Sequence, residues 1–426
     1  MKTIGFGKFR RLFVPADVNP TQGRNFINVQ IDAIGVGLAS AAAPFLPVFL
    51  TRLGATSQQV GYLTSMPALT GLLLGIFIGR FLQNRPNIVP YFSAARLMVL
   101  SSYALTALLI GLVPNAILIK AILVLWAVVT LPQTVVAVSF NVVMSSVAGA
   151  EHRYDLMSRR WSILGITTAL TTALAGQLLE HFPFPLNYQI MFFLLSVGSL
   201  ISFYYSSHIT LPDRHIPAEY QVNNFKQRLL LLYARLKIEI PFVRFVSIRF
   251  VYLLGVTLAT PLFPLYFVRV VGASDAWIGL INTAQTSILL IGYFYWTHAS
   301  RQRGSRFVLL ISTFSMSLYP MLISRIQNVQ SIAAIAGIAG FFQAGIDLVF
   351  FDELMKTIPE DMSPIFVAIA QTLTQLSSFL APMLSAWLGD LLGIPSALFI
   401  SGLVRLIGFG LFWKFANTAQ PNQAQV

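Results

Sequence analysis

Long apolar stretches recur along this chain, and they leave it few ways to fold other than across a lipid bilayer. A helix needs about 20 mostly apolar residues to cross the hydrocarbon core. Only 10% of the residues are charged, whereas soluble proteins carry about 25%. The sequence therefore predicts an all-α integral membrane protein with twelve transmembrane helices, at residues 26–51, 58–79, 90–112, 116–146, 159–180, 187–207, 244–268, 275–298, 306–325, 331–355, 363–388 and 394–415.

The basic residues are distributed unequally between the two ends of these spans. Lys120 and Arg405 fall inside spans, and most other lysines and arginines fall on the side of the N-terminus. We count Arg96, Arg159 and Arg160 on that side. The opposite end carries only Arg52, Arg269 and Arg325. Because cytoplasmic loops carry the excess of Lys and Arg, we predict cytoplasmic termini in a multi-pass cell inner (plasma) membrane protein. The net charge of +13 then reflects loops and not nucleic-acid binding.

The two halves of the chain resemble each other in sequence. The segment from Pro44 to Arg52 aligns with the segment from Pro261 to Arg269, and the following Gly54 aligns with Gly272. Since six spans return the chain to the side where it started, the two halves enter the membrane from the same side. The sequence therefore predicts two parallel six-helix repeats, as in transporters whose repeats are related by an axis along the membrane normal.

The repeat suggests a domain organisation for the whole chain. We predict a cytosolic basic tail at residues 1–25, followed by an N-terminal six-helix half at 26–207. A cytosolic linker with an amphipathic helix at 208–243 leads to a C-terminal six-helix half at 244–416 and a disordered tail at 417–426. We interpret the linker as a basic helix lying on the inner membrane surface, because apolar and cationic residues fall on different faces of it.

Twelve spans in two halves with a central loop resemble the major facilitator superfamily. The segment from Arg52 to Leu63, which enters the second span, is similar to the first turn of that family. Gly79 and Arg80 match part of the family signature between spans 2 and 3, but Gln83 stands where the family has aspartate. The resemblance implies alternating access between the halves. The departure at Gln83 implies a weakened or rebuilt charge latch on the inner side.

Two carboxylates inside predicted spans are candidates for proton coupling, Asp32 and Asp347. A charge in the hydrocarbon core costs about 2.5–3.5 kcal/mol on insertion scales, so such residues face the protein interior and suggest function. For Asp32 the alternatives are proton coupling, a structural pair with an arginine, or a surface charge. Arg249 occupies the position that matches Asp32 in the second half, so a pair between these two is conceivable.

Polar side chains within the spans supply candidates for the substrate cavity. Amides are informative because each has donors and an acceptor to satisfy in lipid. The candidates are Asn28, Asn141, Asn282, Gln285, Tyr293, Gln343, Gln371 and Gln375. Charged residues at span ends are predicted to act at gates or loops, namely Arg80, Arg85, Arg249, Arg301, Arg303, Asp352 and Glu353.

These patterns predict a secondary active transporter that moves a small organic solute by alternating access, coupled to protons, with efflux favoured over uptake. The alternative is a non-transporting, major facilitator-like assembly, pigment- or lipid-handling factor. We expect no enzymatic activity, cofactor or metal site, since the chain has no cysteine and no histidines at ligand spacing. The expected partners are a small-molecule substrate and membrane lipids, without nucleic acid, and we expect a monomer.

Overall fold

A computed structural model describes residues 14–15, 17–149, 152–211, 239–358 and 363–418. Most of the predicted basic tail, of the linker with its amphipathic helix and of the C-terminal tail lies outside these residues. In chain order the helices are α1 (Pro20–Ser40), α2 (Phe45–Arg52), α3 (Ser57–Gln83), α4 (Val89–Leu112), α5 (Asn115–Ala148), α6 (Arg153–Leu178), α7 (Leu186–Ser207), α8 (Ile240–Ala259), α9 (Leu262–Tyr266), α10 (Asp275–Arg303), α11 (Ser305–Ile323), α12 (Val329–Thr357), α13 (Ser363–Leu392) and α14 (Ile394–Thr418).

The helical architecture agrees with the predicted membrane class. Within the described residues, 11 helical segments are long and apolar enough to cross a membrane. The helix α6 is also long enough, with 26 residues, but its threonines and Gln177 make it less apolar. Large side chains such as Phe294 and Leu174 are exposed along the helices. Such apolar exposure is unfavourable in water and favourable against lipid.

Prolines interrupt two of the predicted spans. The first span, predicted as one helix, is divided into α1 and α2 by a turn that ends at Pro44. The seventh is divided into α8 and α9 next to Pro261, and a π-helical turn, Phe267–Val271, follows. Proline lacks an N–H group and its ring clashes with the carbonyl four residues earlier. The two breaks therefore occur at the prolines that align between the halves of the sequence.

Aligned glycines end both interrupted segments. Gly54 has φ 89° and Gly272 has φ 66°. This left-handed backbone is easily adopted only by glycine, since other residues place Cβ against the backbone. Gly54 thus lets the chain turn after Arg52 and enter the next helix, and Gly272 does the same after the segment that contains Arg269.

The chain forms two compact units. The first comprises residues 1–53, 70–216 and 274–283. In it, α7 packs against α1 and α4, while α5 packs on α4 and α6 packs on α1. A close approach of Gly35 and Gly198 joins α1 to α7, because a Cβ on Gly198 would lie only 2.3 Å from the Gly35 carbonyl oxygen. This contact brings Ser202, one turn further along α7, next to Asp32 on α1.

The second unit comprises residues 54–69, 217–273 and 284–426. Its helix α14 packs against α8 and α11, while α12 packs on α11 and α13 packs on α8. These pairings follow the same order along the chain as those of the first unit. The core includes the rings of Phe245, Tyr252, Phe350 and Phe412, which contact one another.

A buried arginine in the second unit compensates for a proline inside a helix. Pro320 lies within α11, so the Met316 carbonyl has lost its usual N–H donor four residues on. The Arg405 side chain, only 3% exposed, donates from an Nη atom to that carbonyl at 3.0 Å. A carbonyl left unsatisfied in lipid would cost several kcal/mol. Arg405, which the sequence places inside a span, therefore has a structural partner.

We predict that the stabilising effect of Arg405 depends on Pro320. Arg405→Met leaves the Met316 carbonyl without a donor, and we expect a loss of unfolding free energy of about 1–3 kcal/mol. In a Pro320→Ala background the new Ala N–H serves that carbonyl, so the same substitution costs about 1 kcal/mol less. Unfolding in mixed micelles measures both. Arg325→Met, at an exposed arginine of the same region, is the control, and equal costs in both backgrounds would contradict the explanation.

Candidate functional site

Asp32 lies in a fully buried cluster of the first unit. Its side chain is 0% exposed, and the exposures of Arg96 and Arg160 are 4% and 3%. Ser202 Oγ donates to Asp32 Oδ1 at 2.6 Å. Arg96 donates from Nη1 to Oδ2, and an Nη atom of Arg160 lies 3.7 Å from the same oxygen. Two guanidinium groups therefore share one carboxylate.

Aromatic rings hold the two guanidinium groups from the side. The Arg96 guanidinium carbon lies 4.2 Å from the centroid of the Phe92 ring. The Arg160 guanidinium carbon lies 4.7 Å from the Phe140 centroid and 5.3 Å from the Trp161 centroid. Such cation–π contacts stabilise a desolvated cation by about 2 kcal/mol.

Arg96 and Arg160, which we counted with the basic residues on the side of the N-terminus, do not lie in loops. Both lie within helices, Arg96 in α4 and Arg160 in α6, and both are buried against Asp32. Arg249, the other conceivable partner, has its guanidinium carbon 5.5 Å from the Phe350 centroid. The useful signal was the presence of Arg96 well inside an apolar stretch, because such a residue requires a counter-charge.

Asp347 has different surroundings, in the second unit. The Tyr293 hydroxyl donates to Asp347 Oδ2 at 2.9 Å, and the Gln343 amide donates to Oδ1 at 2.8 Å. Both donors are neutral, and no cation pairs with Asp347 among the described residues. The side chain is also exposed, although it lies within a helix that is long enough to cross the membrane. Asp347 is thus a carboxylate held by neutral donors and open on one side.

The remaining polar candidates are dispersed. The Asn28 amide donates to the His208 carbonyl at 3.1 Å, and the Asn282 amide donates to the Ile278 carbonyl at 2.8 Å within its own helix. Both contacts satisfy backbone groups. The exposed candidates are Asn141 and Gln371, and the half-buried ones are Gln285 and Gln375.

The charges predicted for gates and loops divide into two groups. Lys356 lies 2.6 Å from Asp352 and 3.2 Å from Glu353, and Glu353 accepts a hydrogen bond from Ser305 at 2.5 Å. This network joins the end of α12 to the start of α11. The other group consists of exposed or ring-stacked arginines, namely Arg80, Arg85, Arg249, Arg301 and Arg303.

A third polar cluster of the first unit lies at the start of α10. Asp275, its first residue, lies 2.9 Å from Arg52 and accepts a hydrogen bond from the Tyr188 hydroxyl at 2.6 Å. A carboxylate in the first turn is favoured by the helix dipole. In the second unit the aligned Arg269 donates to the Ala55 carbonyl, just before α3. Each of the two aligned arginines thus binds a group at the beginning of a long helix.

Glu180 completes the cluster around Asp275. It accepts a hydrogen bond from the Ala276 backbone N–H at 3.2 Å. A hydrogen bond from the Ser274 side chain is the largest effect that lowers the pKa of Glu180, and the Ala276 amide and the charge of Arg52 add to it. Because this pKa lies below that of the unfolded chain, the interaction is present above the ordinary glutamate pKa and disappears as the pH falls through the lowered value.

Comparison with known proteins agrees with this fold. Residues 245–425 match the model of the Major Facilitator Superfamily. A crystal structure of a mutant of the nucleoside transporter NupG has a TM-score of 0.68 at 11% identity, covering 93% of this chain and 100% of that chain. A bacterial homologue of the human lysosomal transporter Spinster, in an inward-facing and occupied conformation, has a TM-score of 0.68 at 12% identity over 94% of this chain and 98% of that chain. A comparison with curated protein sequences finds no match.

The helices define a multi-pass membrane protein. The family match and the two similar structures identify its fold as that of the major facilitator superfamily, which confirms the resemblance predicted from the sequence. Together they support the class of membrane transporter, and such proteins are in general not enzymes.

We predict that Asp275→Asn destabilises the protein, because it removes the negative charge that pairs with Arg52 and leaves only a weaker amide acceptor for Arg52 and Tyr188. Since Arg52 is partly exposed, we expect a loss of about 1–2 kcal/mol, below that of a fully buried pair. Thermal unfolding in detergent measures it. Asp352→Asn, which breaks an exposed ion pair, is the control, and an equal loss in both variants would refute a special role of Asp275.

We also predict a small contribution of Glu180 to stability in acid. As the pH falls below about 4.5, Glu180 takes up a proton and loses its interactions, since its folded pKa lies below its ordinary value. The melting temperature of the wild type should therefore fall more than that of Glu180→Gln in this range. Parallel melting curves for the two proteins would contradict the lowered pKa.

Proposed function

We propose that this protein is a secondary active transporter that moves a small organic solute by alternating access, coupled to protons and favouring efflux. In this mechanism two parallel six-helix halves rock around a solute site. The protein lies in the cell inner (plasma) membrane as a monomer, with both termini in the cytoplasm. The observation that carries proton coupling is the environment of Asp347.

The two candidate carboxylates differ in their suitability for proton exchange. Asp32 pairs with Arg96 and lies close to Arg160, and it is fully buried, which favours a structural role for it. Asp347 accepts hydrogen bonds from neutral groups only. Its exposed side gives a proton access to it. We therefore assign proton exchange to Asp347, with Tyr293 and Gln343 as its positioning residues.

The polar neighbours of Asp347 also suit coupling between proton and solute. When Asp347 is protonated, its oxygens become weaker acceptors, and the Tyr293 hydroxyl and Gln343 amide become available to a solute. A solute that hydrogen-bonds to these groups would then bind one protonation state better than the other. That difference in affinity is what a coupled transporter requires.

We predict that Asp347→Asn uncouples solute movement from protons. The full chain is reconstituted in liposomes that contain a pH-sensitive dye. A panel of nucleosides, sugars, amino acids and amines is added in turn; nucleosides are included because NupG is a nucleoside transporter. For an active solute we expect proton movement to fall at least tenfold in Asp347→Asn. We expect it to be retained in Asp352→Asn, on the same helix, where the carboxylate pairs with Lys356.

The same assay separates the alternatives. Proton movement that is unchanged in Asp347→Asn would refute the assigned coupling residue. Solute movement without any proton movement would refute proton coupling but leave transport. If no solute of the panel moves and a stoichiometric partner co-purifies with the chain, the non-transporting assembly or lipid-handling function would replace the proposal.

A further inference from the structure

The buried cluster around Asp32 is not electrically neutral. Arg96 and Arg160 each carry a positive charge, because a guanidinium group does not lose its proton in proteins. Asp32 supplies one negative charge, and Ser202 is neutral. The cluster therefore carries one positive charge in excess, at a place where all three charged residues are at most 4% exposed. A buried net charge is unfavourable unless a counter-charge compensates it.

Arg160 is the less closely paired of the two cations. Arg96 donates directly to Asp32, whereas the nearest Arg160 nitrogen is 3.7 Å away, beyond hydrogen-bond distance. The Arg160 Nε atom is buried and has no hydrogen-bond partner among the described residues. Arg160 thus has a buried donor without an acceptor in the described part of the chain.

The other acidic side chains described in the first unit are engaged elsewhere. His152 lies 3.2 Å from Asp17 and 4.0 Å from Asp155, and both carboxylates are more than half exposed. Glu180 binds the backbone at the start of α10, and Asp275, the first residue of that helix, binds Arg52 and Tyr188. None of these pairs with Arg160. The rings of Phe140 and Trp161 stabilise its charge but do not neutralise it.

We propose that Arg160 forms a binding site for a small monovalent anion, with a carboxylate as the preferred group. One excess positive charge calls for one negative charge. The Nε–Nη edge of a guanidinium is a planar pair of donors that matches the two oxygens of a carboxylate. The Phe140 and Trp161 rings beside Arg160 form apolar walls that suit a short organic acid better than a strongly hydrated inorganic ion. This inference concerns binding and is independent of proton coupling at Asp347.

Asp32 and the bound anion together neutralise the charges of Arg96 and Arg160. Without Asp32, both guanidinium groups would need an external anion, so Asp32→Asn should increase the dependence of stability on the anion. Without the charge of Arg160, Arg96 and Asp32 form a neutral pair and no anion is needed. The two substitutions should therefore change the anion response in opposite directions.

The test uses the full-length chain in detergent micelles at constant ionic strength. Sodium acetate or sodium chloride progressively replaces sodium sulfate, and the melting temperature is recorded. We expect a saturable rise with acetate, a smaller rise with chloride and none with sulfate. Arg160→Gln should weaken the apparent acetate affinity at least tenfold, and Asp32→Asn should enlarge the rise. Arg159→Gln removes the same charge one residue away and serves as the control that keeps the wild-type response.

Other outcomes would overturn the proposal. A melting temperature that does not respond to acetate, or responds equally to sulfate, excludes a specific monovalent site. A stronger effect of chloride than of acetate refutes the preference for a carboxylate. An unchanged response in Arg160→Gln places any site elsewhere. If Arg160→Gln does not fold, calorimetric titration of the wild type with acetate decides, and the absence of a saturable heat refutes the site.

Discussion

The constraint on which this structure depends is that polar groups within lipid must be satisfied inside the protein. Its effect is visible at Pro320, which deprives the Met316 carbonyl of a donor inside α11. Arg405 reaches across from α14 to supply one. Burying the charge of Arg405 costs free energy, but its hydrogen bond removes the cost of leaving the Met316 carbonyl unsatisfied. The pair also explains why α11 can contain a proline without losing its packing on α14.

The same constraint distinguishes the two carboxylates. Asp32 is fully buried, and its oxygens accept from Ser202 and Arg96, with Arg160 close by. Asp347 is open on one side and is bound by neutral groups. A sequence shows both simply as aspartates inside apolar stretches. Their different surroundings arise largely from neighbours on other helices, so a single span does not reveal which of them is paired with a cation.

Much of the fold follows from local sequence. Apolar stretches of sufficient length predict the helices, and the aligned Pro44 and Pro261 mark where two of them break. Aligned Gly54 and Gly272 mark the turns that follow, because their positive φ values exclude most other residues. Partners across helices were harder to predict. Arg96 and Arg160 were counted with the loop charges on the side of the N-terminus, although a charge as far inside an apolar stretch as Arg96 already requires a counter-charge.

The contact between Gly35 and Gly198 connects the packing of the first unit to its chemistry. It brings the backbones of α1 and α7 together, and Ser202 then reaches Asp32. Arg96 comes from α4, which packs on α7, and Arg160 comes from α6, which packs on α1. Four helices thus converge on one carboxylate, and helix packing fixes the ratio of two cations to one anion. Any rearrangement of these helices changes the distance of Arg160 from Asp32, so the charge balance of the cluster and the packing of the unit are coupled.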